Sequence, residues 1–413
     1  MMPIDPLPGY RARLSGTRYL IVVPVPWTRD PDGGVWLDPL WLIDLRRHCD
    51  YLADLVVLAP RQSWTGAPPA GAERLDPVPG LRFRALPAPG GLARAALTLP
   101  VAAVATLRAV AGADVVHSGV AGWPLPPGLL ANPLAVLLRK RLVIVIESAF
   151  WRVTDATASR KAHLRHSLTE AFARWSVRRA DLSIFTHDAY RQQLAGGARG
   201  QTVVAPASWL DAHDLLPDDQ IGASWLAKPQ TPRFLFAGRL EPAKGVPVLL
   251  AALEQLDRDG RAIHLDVIGS GTLGDAVDKA VGRFVHVHLR RLVPVPYGAP
   301  FLTLLRGYHA LVVPSISDEQ PRVLYDAFSQ AVPAIVSDTA GHRAVAAGSD
   351  AAIIVAPDDP ADLARALARV AVDPSGLLER GRIARSLAEG RTHEAMHRER
   401  AELLAELFGK AAA

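Results

Sequence analysis

Cysteine is almost absent: Cys49 is the one thiol in 413 residues. An intrachain disulfide is excluded, and the composition fits a reducing compartment. A basic-then-apolar opening is missing too. "MMPIDPLPGYRARLSGTRYL" has prolines and arginines but no apolar core, so no secretory leader is expected there. Long unbroken hydrophobic runs are also lacking. The longest stretch without formal charge, Val115 to Leu138, is long enough to span a bilayer, but Pro124, Pro126, Pro127, Pro133 and three glycines interrupt it. Low-complexity tracts and short internal repeats are not found.

What is present is the profile of a globular chain, 49% apolar and 21% charged. A length of 413 residues predicts two hydrophobic cores rather than one. A net charge of +5 and a pI near 9.5 suit anionic partners such as nucleotides, lipid head groups or nucleic acid. A surplus that small is equally compatible with chance surface composition.

Apolar β-branched runs alternate with helical patterns from end to end, which predicts parallel sheets with crossover helices. The first half reads "YLIVVPV", "LVVLAP", "LRFRAL", "DVVHSG", "RLVIVIES" and "LSIFTH" as strands; the second reads "RFLFAG", "IHLDVIG", "VHVHL", "ALVVPS", "PAIVSD" and "AAIIVA". Asp38 is a good cap for a helix over 37–52, with Pro39 at its first position. "PASWLDAHDLLPDDQIGASWLAKPQTP" has no clear period and is expected to be the linker. "THEAMHRERAELLAELF" predicts a final helix capped by Thr392. Ligands of open α/β sheets bind beyond the carboxyl ends of the strands, so the loops there are where chemistry is sought.

Two such loops stand out. In "FLFAGRLEPAKGVPVLLAALEQL" a strand ends at Gly238 and a helix begins near Gly245 or Val246. Arg239 and Lys244 therefore lie at the helix's positive end, where two cations and free amides suit a diphosphate. As ordinary loop cations they would need no ligand, and spacing alone does not separate the two readings. In "SISDEQPRVLYDAFSQAVPAIVSD", Asp318 and Asp326 flank Pro321, which is expected to open a helix before a buried strand. A carboxylate on that helix can accept hydrogen bonds from a vicinal diol. Asp326 has apolar neighbours Val323, Leu324, Ala327 and Phe328, which argues against a solvated helix face.

Together, "FAGRLEPAKG" and "PSISDEQPRVLYDAFSQAVPAIVSDTAG" closely resemble the nucleotide-sugar half of GT-B glycosyltransferases, specifically family 4 of the retaining type. The resemblance is specific over 234–341 and architectural elsewhere. It implies that Arg239 and Lys244, following Gly238, hold the donor diphosphate. It also implies that the family's two glutamates fall on Asp318, near the transferred sugar, and Asp326, on the ribose hydroxyls. Glu319, Gln320, Pro321, Arg322 and Val323 complete the donor loop. Both glutamates are aspartates here, and the family's Gly-Phe is Glu319-Gln320, so a third acid enters the sugar site. The family's later Gly-Gly is Ala340-Gly341, and its Pro-Asn-Gly is Pro206-Ala207-Ser208.

In the first half, Gly33-Gly34 match the family's glycine loop before a helix, although a simple turn uses glycine equally well. His117 falls where the family has a histidine at a strand end, and a structural histidine is the alternative. Glu147 replaces another family histidine and closes an apolar strand, where a carboxylate is expected to need a partner. The basic residues of "SRKAHLRHSLTEAFARWSVRRAD" fit either an anionic lipid surface or a solvated face of a packed helix. "GSGTLGDAV" has the three glycines of a dinucleotide fingerprint, Gly269, Gly271 and Gly274, but lacks the acid about 20 residues on, so a dehydrogenase is discounted.

The resemblance thus implies an α/β chain of the GT-B fold, two Rossmann-like domains facing a central cleft. Residues 1–208 would form the acceptor side, with helix 392–413 packing back on it, and 209–391 the nucleotide-sugar side. The implied enzyme is a retaining, metal-independent hexosyltransferase-type glycosyltransferase of polysaccharide biosynthesis. It would use a nucleotide-diphosphate sugar as substrate, with no cofactor and no metal. Its acceptor would be a glycan, a lipid-linked molecule or a small molecule, and nucleic acid is not an expected partner. The expected location is cytoplasmic, peripheral on the inner face of an anionic membrane. Glu147, His117 and Glu319 are the catalytic candidates. A sugar-nucleotide epimerase of the same fold, or a donor-binding protein without transfer activity, are the alternatives.

Overall fold

The computed structural model describes residues 8–409 except 89, 123–124, 150 and 153–158. The first seven residues of the opening stretch and the last four of the final segment lie outside the described residues. The chain divides into two compact units, Met1–Ala205 with Met396–Ala413, and Pro206–Ala395.

The first unit is built on seven parallel strands: β1 (Arg18–Val22), β4 (Asp54–Pro60), β6 (Leu81–Leu86), β7 (Val115–Ser118), β8 (Arg141–Ile146), β9 (Leu182–Phe185) and β10 (Gln201–Val204), in the order β10-β9-β8-β7-β1-β4-β6. Three short strands, β2 (Thr28–Arg29), β3 (Val35–Leu37) and β5 (Glu73–Leu75), form a separate antiparallel sheet. Alternation along each strand sends side chains to opposite faces. Tyr19, Ile21, Val115 and Val143 enter one core, and Leu20, Val22, Val116 and Ile144 the other. The helices are α1 (Pro8–Arg13), α2 (Pro39–Tyr51), α3 (Leu92–Ala111), α4 (Gly128–Leu137), α5 (Arg160–Arg179) and α6 (Asp188–Leu194). Asp38 caps α2 as its sequence requires, accepting from the amides of Leu40 and Trp41, with Pro39 in the first turn.

The second unit holds six parallel strands: β11 (Arg233–Ala237), β12 (Ile263–Ile268), β13 (Val287–Leu292), β14 (Ala310–Val313), β15 (Ala334–Ser337) and β16 (Ala352–Val355), ordered β13-β12-β11-β14-β15-β16. Its helices are α7 (Asp218–Leu226), α8 (Val246–Arg258), α9 (Gly274–Ala280), α10 (Ala299–Arg306), α11 (Arg322–Ser329), α12 (Ala340–Ala346), α13 (Pro360–Val372) and α14 (Leu377–Glu389). The last helix, α15 (His393–Phe408), begins with the Thr392 hydroxyl accepting from the Ala395 amide at 3.1 Å.

Three expectations need correction. The stretch read as an irregular linker contains α7, whose only fully buried residue is Ile221, so its amphipathic signal is weak. Trp225 on α7 nevertheless ties it to the unit by donating to the Ala331 carbonyl at 3.1 Å. The strand read in "VHVHL" is displaced toward its carboxyl end, as Val287–Leu292. Strands β2, β3, β5 and β10 were not expected; they have two to four residues and β10 is an edge strand, too short for a period to show.

Candidate functional site

In the second unit both motif loops leave the carboxyl ends of adjacent strands, β11 and β14, which pair in parallel. They are stitched together by backbone: the Ile316 amide donates to the Ala243 carbonyl at 3.1 Å. Gly245 has φ +74°, and a Cβ there would stand 1.8 Å from the Pro314 carbonyl oxygen. Only glycine satisfies both demands. Behind the loop, "GSGTLG" braces it, with the Leu240 amide donating to Ser270 at 2.8 Å and Thr272 bonded to the Glu241 carboxylate. A stretch discounted as a nucleotide fingerprint is thus a buttress.

The loops enclose a pocket of about 220 Å³ lined by Gly238, Arg239, Lys244, Glu319 and the turn Gln320 to Val323, among others. Helix α11 starts at Arg322, with Pro321 as its cap rather than its first residue. The Arg322 and Val323 amides precede any intrahelical acceptor, because the first helical amides lack partners one turn back. Cations and a helix start therefore share one hollow, an arrangement suited to phosphate oxygens.

Glu319 is placed differently from the expectation. Its carboxylate lies 2.5 Å from the Lys244 ammonium and 3.6 Å from the Arg239 guanidinium. It is an internal counter-anion on the two cations and itself lines the pocket. Lys244 and Glu319 are largely shielded, while Arg239 remains 69% exposed. Asp318 accepts from the Ala340 amide at 3.1 Å, at the start of α12. The adjoining Gly341 lies so close to the Glu319 backbone that a Cβ would meet its carbonyl oxygen at 2.3 Å. Gln320 forms a two-way bond with the Ala207 backbone, accepting its amide at 2.9 Å and donating to its carbonyl at 3.2 Å. Ser317 Oγ and His342 Nε2 are buried and have no partner among the described residues.

Asp326 is buried on α11 and accepts from the Tyr297 hydroxyl at 2.8 Å. Burial pushes its carboxyl up to about 7, against the pull of the Tyr297 bond and the Arg322 charge. Arg322 itself lies 5.2 Å from the Trp209 ring centre. Tyr297 was missed by sequence reading because nothing in "VPVPYG" marks it; only the packing of its loop brings it to Asp326.

Among the first-unit candidates the glycines stand apart, whereas His117 and Glu147 both lie within electrostatic reach of Arg400. Gly33 and Gly34 form the turn of the β2–β3 hairpin, not the entry of a helix, and Asp30 closes it by accepting the Gly34 amide at 2.7 Å. Glu147 lies past the end of β8 and is exposed, yet its charge acts on the buried Arg400 guanidinium. His117 is interior: its Nδ1 is 3.1 Å from the Tyr19 hydroxyl, and burial drives the imidazole well below its usual range. It belongs to a buried polar network that sequence reading missed. Asp44 holds His397 Nε2 at 3.0 Å and His48 Nδ1 at 3.2 Å. Tyr51 reaches His397 Nδ1 at 3.2 Å, and the Arg400 guanidinium lies 3.4 Å from His48 Nε2. Asp44, His48 and Tyr51 recur at helical spacing on α2, as His397 and Arg400 do on α15, but the two helices lie far apart in sequence, so no local pattern could join them.

Residues 231–373, the greater part of the second unit, match the family described as glycosyl transferases group 1. The chain is 30% identical over 168 residues to a glycogen synthase of Mycobacterium tuberculosis, covering 40% of this chain and 41% of that protein. It is also 30% identical over 170 residues to a D-inositol 3-phosphate glycosyltransferase of Streptomyces bingchenggensis, covering 39% and 36% respectively. The matches thus span about two fifths of the length of these curated relatives. Among solved structures, sucrose-phosphate synthase from Thermosynechococcus elongatus superimposes with a TM-score of 0.70 at 17% identity, over 95% of this chain and 99% of that one. Anabaena HepE in complex with UDP-glucose gives 0.62 at 15% identity, over 94% and 99%. The fold is that of the GT-B glycosyltransferases, with the group 1 sequence carried by the second unit, as the two motifs implied.

Proposed function

We propose that the protein transfers a sugar, with retention, from a nucleotide-diphosphate donor to a glycan, lipid-linked or small-molecule acceptor. The observation that carries this reading is the pocket in which Arg239, Lys244 and the start of α11 converge. Fixed positive charge at that place stabilises a departing diphosphate, which is where negative charge develops in sugar transfer. The two cations supply that charge without a divalent metal, and the nucleotide sugar is a substrate, so no cofactor is required. HepE, a structural neighbour, has been solved with UDP-glucose, which supports a nucleotide-sugar donor of that kind. Asp326 would take the ribose hydroxyls, with Tyr297 yielding its place on the carboxylate. Glu147, exposed at a strand's carboxyl end, retains a role near the reacting sugar. The single cysteine is in keeping with a cytoplasmic location.

Titration of UDP, GDP and ADP into wild type, Arg239→Ala and Lys244→Ala, each with and without EDTA, tests the donor site. Loss of either cation should weaken binding roughly ten- to over a hundredfold, and EDTA should change nothing. Unaltered affinity in both variants would sink the diphosphate assignment. Product analysis with a UDP-sugar then separates transfer from epimerisation and from binding alone.

A further inference from the structure

The first unit presents one face that its own core does not explain. Helix α3 is twenty residues long, and its outward side is apolar: Leu97 is 82% exposed and Val101 65%, with Leu92, Val104 and Leu107 also open. Leu97, Val101 and Val104 recur at helical spacing, so they form one stripe, while Thr106 and Val110 turn inward. Helix α4 packs beside α3 and also touches α5. It adds exposed Leu129 and Leu137, and α5 adds Leu164 and Leu168, 61% and 63% exposed.

Charge on this layer has one sign. The three helices carry eight arginines and lysines and a single acid, Glu170. That acid is shielded and already bound to Arg152 and Arg174. Arg139 and Lys140 follow α4 directly. An aqueous surface has no reason to collect open leucines while excluding every free carboxylate.

We propose that the α3–α4–α5 face docks on an anionic lipid bilayer. The leucines and valines enter the headgroup boundary, and Arg94, Arg108, Arg160, Lys161 and Arg165 meet lipid phosphates. Helix α3 has the length and apolarity of a spanning segment. It joins β6 to β7, two strands of one parallel sheet, and its inner side is committed to that core. It therefore lies on the bilayer and does not cross it. This inference stands apart from the sugar-transfer reading, because its readout is lipid binding and not activity.

The experiment is flotation of the whole protein with phosphatidylcholine vesicles and with vesicles that also contain phosphatidylglycerol, alongside sedimentation analysis without lipid. Wild type should float with the anionic vesicles, far less with neutral ones, and high salt should weaken the association. Leu97→Ser with Val101→Ser, both on the outer stripe, should reduce flotation at least tenfold with unchanged circular dichroism and melting. Replacing Arg160, Lys161 and Arg165 by Gln should lower partitioning about fivefold per residue. Absence of flotation, or flotation insensitive to both variants, overturns the proposal. So does a wild-type dimer without vesicle binding that the Leu97/Val101 variant dissolves, since a second copy would then be the occupant.

Discussion

At the scale of single residues, Glu319 stands where the resembled motif has glycine. Its carboxylate occupies the cations that a diphosphate would need. Binding must therefore displace an internal anion, which costs affinity. Glu319→Gly, which restores the residue of the resembled motif, should tighten UDP binding by about tenfold, the scale of one charge-assisted hydrogen bond. Calorimetric titration of both proteins decides it; weaker binding in the variant would mean that Glu319 contacts the ligand instead. Asp326 offers a second test. Its carboxyl, raised to about 7, is partly protonated near neutrality, whereas ribose hydroxyls donate best to the ionised form. UDP affinity should therefore rise from pH 6 to pH 8. That rise, and the preference for UDP over its 2′-deoxy analogue, should both vanish in Asp326→Ala. A coupling near zero between the ribose hydroxyl and Asp326 would remove the residue from the site.

At the scale of elements, the site depends on two strand-to-helix loops that meet through glycine. In Gly245→Ala the new methyl would face both a left-handed φ of +74° and the Pro314 carbonyl at 1.8 Å. The two loops must then separate. UDP affinity should fall at least tenfold, and thermal stability should drop by roughly 1–3 kcal/mol, the range of a strained backbone position. Gly222→Ala is the control, since a Cβ there has open space. Equal behaviour of the two variants would show that the loop contact does not shape the pocket. The buttress from "GSGTLG" works the same way: sequence suggests a ligand loop, and packing makes it a support.

At the scale of the whole molecule, buried titratable groups set how stability depends on pH. Asp326 binds its proton more tightly folded than unfolded, so its contribution is complete below the usual carboxylate range and is lost as pH rises toward about 7. His117 and His397 are held neutral by burial, so the unfolded chain takes up protons that the folded first unit cannot. Their contribution is present above the ordinary histidine range and is lost as pH falls below about 6.5. Scanning calorimetry across pH 5 to 8 should show the first unit weakening on acidification. In the second unit His309 and His342, lowered to about 4 by burial, act with the same sign and Asp326 opposes them, so Asp326→Asn should make that unit's loss on acidification steeper. In the same network, Arg400→Ala leaves Asp44 without its buried counter-charge and should destabilise the first unit by about 3–5 kcal/mol. UDP binding at the folded second unit should persist, and its parallel loss would contradict separate units.

Alternating apolar runs and helical spacing were enough to give the α/β class, the positions of most strands of the two parallel sheets, and the cap at Asp38. Those features depend on neighbours in sequence, where period and capping chemistry act. The two motif loops were equally legible as strand-to-helix turns, because glycine and proline at fixed spacing are local demands of a turn, whereas the donor role assigned to them came from the family resemblance and not from spacing. Tertiary structure alone decided what the side chains in them do. It laid Glu319 on Lys244, brought Tyr297 to Asp326, turned Gly33-Gly34 into a hairpin and set the exposed Glu147 within electrostatic reach of Arg400. It also gathered Asp44, His48, His117, His397 and Arg400 into one buried network. Each of these rests on contact between segments distant in the chain, and burial, which sets both charge and pKa, is a property no local pattern contains.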